Sequence, residues 1–123
     1  MIPLDQMHLM HKILVAVRDY GAASFLSVLK IFGEANQNYL SFPLKGLTLA
    51  LDFKISPTVW SFLDTLDQQV LEAGGRVYLT KDCRLNAENF CKMYPHVEAF
   101  SAVREYCDPL HRLQSLQSKR LGL

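Results

Sequence analysis

The chain has 123 residues, a length that fits one domain built around a single core. Hydrophobic residues make up 50% and charged residues 20%, which excludes disorder as the main state. With 13 Lys+Arg against 12 Asp+Glu the formal charge is +1, too even a balance to mark a nucleic-acid or acidic-membrane face. No apolar stretch approaches the roughly 18–20 residues that cross a bilayer, and no basic-then-apolar leader opens the chain. Cys83, Cys91 and Cys107 are an odd set without CxxC spacing, which fits reduced thiols in a cytosolic protein. No internal repeat, low-complexity tract or linker divides residues 1–123, so a single domain is expected.

In chain order, Met7, Met10, Leu14 and Val17 recur at spacings of three and four before Gly21, which predicts a helix near 4–20. Phe25 to Phe32 is apolar almost throughout, as in a strand buried on both faces. A polar, Asn-rich segment from Gly33 to Pro43 leads to the run 47–55. There Leu47, Leu49, Leu51, Phe53 and Ile55 share one face, while Thr48, Ala50, Asp52 and Lys54 share the other. Ser56-Pro57 predicts a helix start, with Val59, Phe62, Leu63, Leu66 and Val70 as its apolar stripe and Gly74-Gly75 as its stop. Arg76 to Thr80 alternates like a short strand, and a helical tail follows from about residue 86.

The predicted class is therefore α+β: an antiparallel, ferredoxin-like sheet with helices on one face and a C-terminal helical tail. Met1-Ile2-Pro3 is too short for the first strand of that topology and reads as its stub, so the chain is expected to begin inside a fold unit of something larger. The helices should cover the leucine face of 47–55, each buried side chain there contributing on the order of 1.5–3 kcal/mol. The opposite face carries Thr48, Ala50 and Asp52, with Tyr78 and the Leu26, Val28, Lys30, Phe32 side of the preceding strand. Such a surface meets a partner or ligand, or else lies under the C-terminal helices.

Several segments, in order, resemble the C-terminal domain of FAD-linked oxidoreductases of the vanillyl-alcohol oxidase type. They are Ser24 to Gly33, Leu40-Ser41-Phe42-Pro43, Leu51-Asp52-Phe53, Gly74-Gly75-Arg76-Val77-Tyr78, Lys81-Asp82-Cys83-Arg84, Met93-Tyr94-Pro95 and Asp108-Pro109-Leu110. The similarity runs over nearly the whole chain and points to the branch of the decaprenylphosphoryl-ribose and aldonolactone oxidases. It implies a substrate (cap) domain that closes over a flavin held by a separate FAD-binding domain, and oxidation of a secondary alcohol of a sugar, sugar lactone or lipid-linked sugar by hydride transfer to FAD. No Gly-rich pyrophosphate loop stands in these residues, so FAD is not expected to be retained by this chain alone, which should be catalytically silent.

The resemblance also assigns residues. Lys81 matches a lysine close to flavin and substrate, where an ammonium would stabilise the negative charge left by hydride transfer and orient the substrate oxygen. On its residues alone, Lys81 reads first as a solvated turn lysine loosely paired with Asp82, and only the resemblance reverses that preference. Tyr78 and Ala50 would face the cofactor, and Lys30, Phe32 and Thr48 would form the substrate wall. Taken without the family, Lys30 is a strand lysine reaching water and Tyr78 a rim tyrosine with a satisfied hydroxyl. Ala50 stands where some members place a cysteine, and Thr48 where they have an asparagine. Cys91, His96, Cys107 and His111 fit no zinc spacing, so no metal is expected, and no Ser-His-Asp arrangement is evident. The competing reading is a free-standing interaction module that dimerises through the open sheet face or an uncovered edge without catalysis.

Overall fold

A computed structural model gives the fold for residues 1–21 and 26–123; the predicted start of a strand at Phe25 lies outside the described residues. The elements are β1 (Ile2–Pro3), a 3-10 turn (Leu4–Gln6), α1 (Met7–Tyr20), β2 (Ser27–Phe32), β3 (Gly46–Leu51), α2 (Val59–Glu72), α3 (Ala87–Met93), α4 (Val97–Cys107) and α5 (Leu116–Leu121). The fold is α+β. Its sheet has three strands in the order β1-β3-β2, antiparallel throughout, the arrangement expected for the first three strands of a ferredoxin-like unit.

Helix α1 ends where the sequence indicates, with Gly21 in the left-handed region (φ 73°) returning its N–H to Arg18 O. The leucine face of β3 packs on α1 and α2. Leu47 joins Ile2 and Met10 in one cluster, while Leu49, Leu51 and Phe53 lie against Ile13, Val17 and Leu66 in another. A further core sits beside α2, where Leu85, Phe90, Met93, Tyr94 and Leu121 close the C-terminal helices onto Val70, Leu71, Val77 and Leu79. Burial of Phe90, Tyr94 and Leu85, each at most 1% exposed, contributes on the order of 1.5–3 kcal/mol per side chain.

Four local expectations are corrected. Arg76 to Thr80 forms no strand: Arg76 to Tyr78 is irregular and a turn starts at Leu79. Its main-chain link to the sheet is the bond from Arg76 N–H to Met1 O (2.9 Å), because β1 beside it is only two residues long. The carbonyls of Val77 and Leu79 are taken instead by the Tyr94 hydroxyl (2.7 Å) and the Gln117 amide (2.5 Å). Strand β2 is not buried on both faces: it lies at the sheet edge, and Leu29 and Ile31 are 54% and 78% exposed. The 47–55 run leaves the sheet after Leu51, where its ladder with β2 ends at the Ser27–Leu51 pair. Helix α2 begins at Val59 with Thr58, not Ser56, in the capping position. The hydroxyls of Ser56 and Thr58 bond the Tyr20 hydroxyl instead (3.2 and 3.0 Å), tying α2 to the end of α1.

Candidate functional site

Between β3 and the irregular segment of residues 76–84 lies an open cleft of about 480 Å³. Thr48, Ala50, Tyr78 and Lys81 all line it, from two segments almost thirty residues apart in sequence. Its floor is apolar, from Met10, Ile13, Leu66 and their neighbours. Helices α3 to α5 contribute no described residue to its lining, so the C-terminal tail does not cover it.

Alternation along β3 places Thr48 and Ala50 on the face away from α1 and α2. Directly across in β2 stand Lys30 opposite Thr48 and Val28 opposite Ala50, so the predicted wall residues share one face. Lys30 is exposed, and neither it nor Phe32 borders the cleft itself. Phe32 reaches it through Phe42: the rings of Phe32 and Phe42 meet edge to face at 5.9 Å, and Phe42 lies 4.6 Å from Tyr78. That row of aromatic rings is an apolar shelf along the cleft mouth. Tyr78 is 43% exposed and its hydroxyl makes no hydrogen bond among the described residues. Thr48 Oγ1 donates to Met1 Sδ at 3.4 Å.

The Lys81-Asp82-Cys83-Arg84 segment divides its charges. Asp82 Oδ1 accepts the main-chain N–H groups of Arg84 (3.0 Å) and Leu85 (2.9 Å), closing the turn, and Oδ2 lies 2.9 Å from Arg120 Nη2. The predicted loose pair between Lys81 and Asp82 therefore does not form. Lys81 stays exposed at the cleft rim with no ion pair among the described residues. Arg84 points inward, its Nη2 2.7 Å from Asp67 Oδ1 and its Nη1 2.7 Å from Asp64 Oδ1. Asp67 is only 6% exposed; burial pushes its carboxyl above the ordinary carboxylate range, opposed by the Arg84 charge beside it. Arg76 holds the other end of the segment, donating to Ser41 O (2.6 Å) with its guanidinium over the Tyr94 ring at 5.7 Å. Burial also pushes the Tyr94 hydroxyl up to about 12, so it remains a donor to Val77 O.

The Asp67–Arg84 and Asp82–Arg120 pairs escape the sequence reading. A signal for the first was present: Asp67 is four residues after Leu63 and three before Val70, hence on the apolar stripe of α2. A buried aspartate there requires a cationic partner. Among the described residues no three His, Cys, Asp or Glu side chains are grouped to hold a metal ion, and no helix is long and apolar enough to cross a membrane.

No protein-family model matches the chain. Among curated proteins, decaprenylphosphoryl-beta-D-ribose oxidase of Mycolicibacterium smegmatis is 38% identical over 122 residues, 99% of this chain and 26% of that protein. A Streptomyces coelicolor protein called "Uncharacterized protein in mprA 5'region" is 39% identical over 108 residues, 87% of this chain and 29% of that protein. The chain spans between a quarter and a third of the length of these relatives. It is thus similar, along practically its whole length, to about a quarter of decaprenylphosphoryl-beta-D-ribose oxidase.

Proposed function

We propose that this chain is the substrate domain of an FAD-linked oxidoreductase that oxidises a secondary alcohol of a sugar, sugar lactone or lipid-linked sugar. The observation that carries the reading is the convergence of Thr48, Ala50, Tyr78 and Lys81 on one open cleft in a chain 38% identical over 122 residues to decaprenylphosphoryl-beta-D-ribose oxidase. The groups present fit one side of a flavin-and-sugar site. Thr48 and Ala50 are small enough to admit a flat ring, and the Phe32, Phe42 and Tyr78 shelf offers it an apolar border. FAD, when bound, supplies the hydride acceptor. Lys81 holds the substrate oxygen and offsets negative charge arising beside it, undiminished by any carboxylate of its own. Tyr78 orients a hydroxyl of the sugar through its free phenol. Lys30 contributes charge at the far margin of the same face, where a phosphate of a lipid-linked substrate would lie.

Binding of the FAD pyrophosphate falls to a separate domain, since this chain lacks a Gly-rich phosphate loop. The test is to mix the purified chain with the remaining three-quarters of the M. smegmatis oxidase, made separately, and follow flavin retention and oxidation of a sugar alcohol. Each half alone is expected to be silent, and the mixture yellow and active. A chain that by itself retains flavin and turns over substrate, or a mixture that does neither, overturns the proposal.

A second reading rests on the exposed Leu29 and Ile31 on the edge strand β2. Such an edge is a template for pairing two copies, and a non-catalytic dimer would bury both residues. Ile31→Lys would then convert the dimer to monomer in light scattering; a chain already monomeric at high concentration ends this reading.

A further inference from the structure

We infer that Gln117 and Arg120 of α5 are positioning residues for Lys81, holding the turn that carries it from the side away from the cleft. Residues 76–84 form no strand, so no ladder fixes their main-chain groups. The turn's own bonds are long: Lys81 N–H to Tyr78 O at 3.1 Å and Asp82 N–H to Leu79 O at 3.3 Å. Shorter ties reach it from the C-terminal helices. The Gln117 amide donates to Leu79 O at 2.5 Å, and the Tyr94 hydroxyl, just past the end of α3, to Val77 O at 2.7 Å. Arg120 grips the other arm. Its Nη2 stands 2.9 Å from Asp82 Oδ2 while its Nη1 donates to Leu85 O, so one planar guanidinium spans both. The Asp82 side chain is only 3% exposed, and burial leaves its carboxylate dependent on that guanidinium.

Helix α5 is itself fixed. The capping box of Ser115 and Ser118 starts it, and Leu121 anchors it in the core beside Leu85, Phe90 and Tyr94. Gln117 and Arg120, three residues apart, lie on one face of it. Neither residue lines the cleft, so neither touches what the cleft would hold. The atoms they hold belong to Leu79 and Asp82, which flank Lys81 on both sides. Lys81 has no ion pair among the described residues, so its place on the rim is set by this main chain. The catalytic consequence rests on the role of Lys81 proposed above: a charge-stabilising group displaced by about 1 Å loses much of its effect.

The test has two arms. In the first, amide order parameters are measured by NMR on the isotope-labelled chain for wild type, Gln117→Leu and Arg120→Met. Order at Leu79 to Asp82 is expected to fall from about 0.85 to below about 0.6 in each variant, with α1 and β3 unchanged. In the second, the chains are mixed with the remaining three-quarters of the M. smegmatis oxidase and flavin bleaching by a sugar alcohol is timed. Gln117→Leu should slow bleaching about tenfold or more. Added to Lys81→Met it should slow it no further, because it acts through Lys81. Wild-type order at 79–82 in both variants, or order lost equally in α1 and β3, would overturn the inference. So would wild-type bleaching with Gln117→Leu when Lys81→Met is slow, or a further slowing in the double variant. Bleaching as fast with Lys81→Met as with wild type strikes the oxidoreductase reading instead, and the first arm then decides whether α5 positions Lys81.

Discussion

Lys81 and Asp82 are neighbours with opposite tasks. Asp82 is spent on closing its own turn and pairing Arg120, which leaves Lys81 outside as an unneutralised cation on the cleft rim. Replacing Lys81 by Met should therefore leave thermal stability within about 0.5 kcal/mol, as at most exposed sites. In the reconstituted enzyme the same change should lower turnover about a hundredfold or more, the range for removing one preorganised charge-stabilising group. Arg84 differs in kind, since its loss leaves Asp67 buried without a partner. Arg84→Met should cost about 3–5 kcal/mol in urea unfolding. The pH dependence follows from burial of Asp67, which raises its carboxyl above the unfolded value. Between those two values the folded chain binds more protons than the unfolded one, so this residue's contribution to stability falls as pH rises through that window. Asp67→Asn should flatten that fall in a series of urea midpoints; an unchanged slope would show that Asp67 does not titrate there. None of this is visible in the Lys-Asp-x-Arg string, because which charge faces inward is decided by Asp64 and Asp67, on α2 some twenty residues away.

Helix α1, the apolar stripe of α2 and the two faces of β3 were legible because each is encoded within its own residues. Periods of 3.6 and 2 survive folding when a neighbour covers the apolar side, and here α1, α2 and β3 cover one another. Arg76 to Thr80 shows the limit. It alternates correctly, yet a strand needs a ladder partner, and beside it stand only the two residues of β1. Apolar content misled for β2 as well, since Leu29 and Ile31 sit at an edge rather than between strands. The pairing of β1 with β3 depends on Gly46, where a Cβ would run into the carbonyl of Ile2. Gly46→Ala should thus push β1 off the sheet, with an expected loss of about 1–3 kcal/mol typical of overpacking. Protection of the Leu47 amide should fall together with the midpoint; a variant with wild-type protection at Leu47 would show that β1 tolerates the shift.

At the scale of the molecule, the helices cover the leucine face of the sheet, and beside β3 a cleft opens whose walls are β3 and the segment after α2 and whose floor is residues of α1 and α2. The likeness to decaprenylphosphoryl-beta-D-ribose oxidase was legible in ordered segments of sequence. The geometry adds what the string could not, that Thr48, Ala50, Tyr78 and Lys81 border one opening while Lys30 and Phe32 stand behind it. Exposed apolar side chains also gather at the C-terminal end, where Tyr106, Leu113 and Leu116 are each more than three-quarters uncovered. Surfaces of that kind are where a companion domain would be received. The most direct measurement is therefore flavin bleaching by a sugar alcohol in the two-part mixture, taken in a stopped-flow spectrophotometer with wild-type chain and with Lys81→Met. The expected result is rapid bleaching with the wild type and bleaching at least about a hundredfold slower with the variant, at equal flavin content. Equal rates for the two chains, or bleaching by the FAD-binding part without either, would contradict a catalytic role for this cleft.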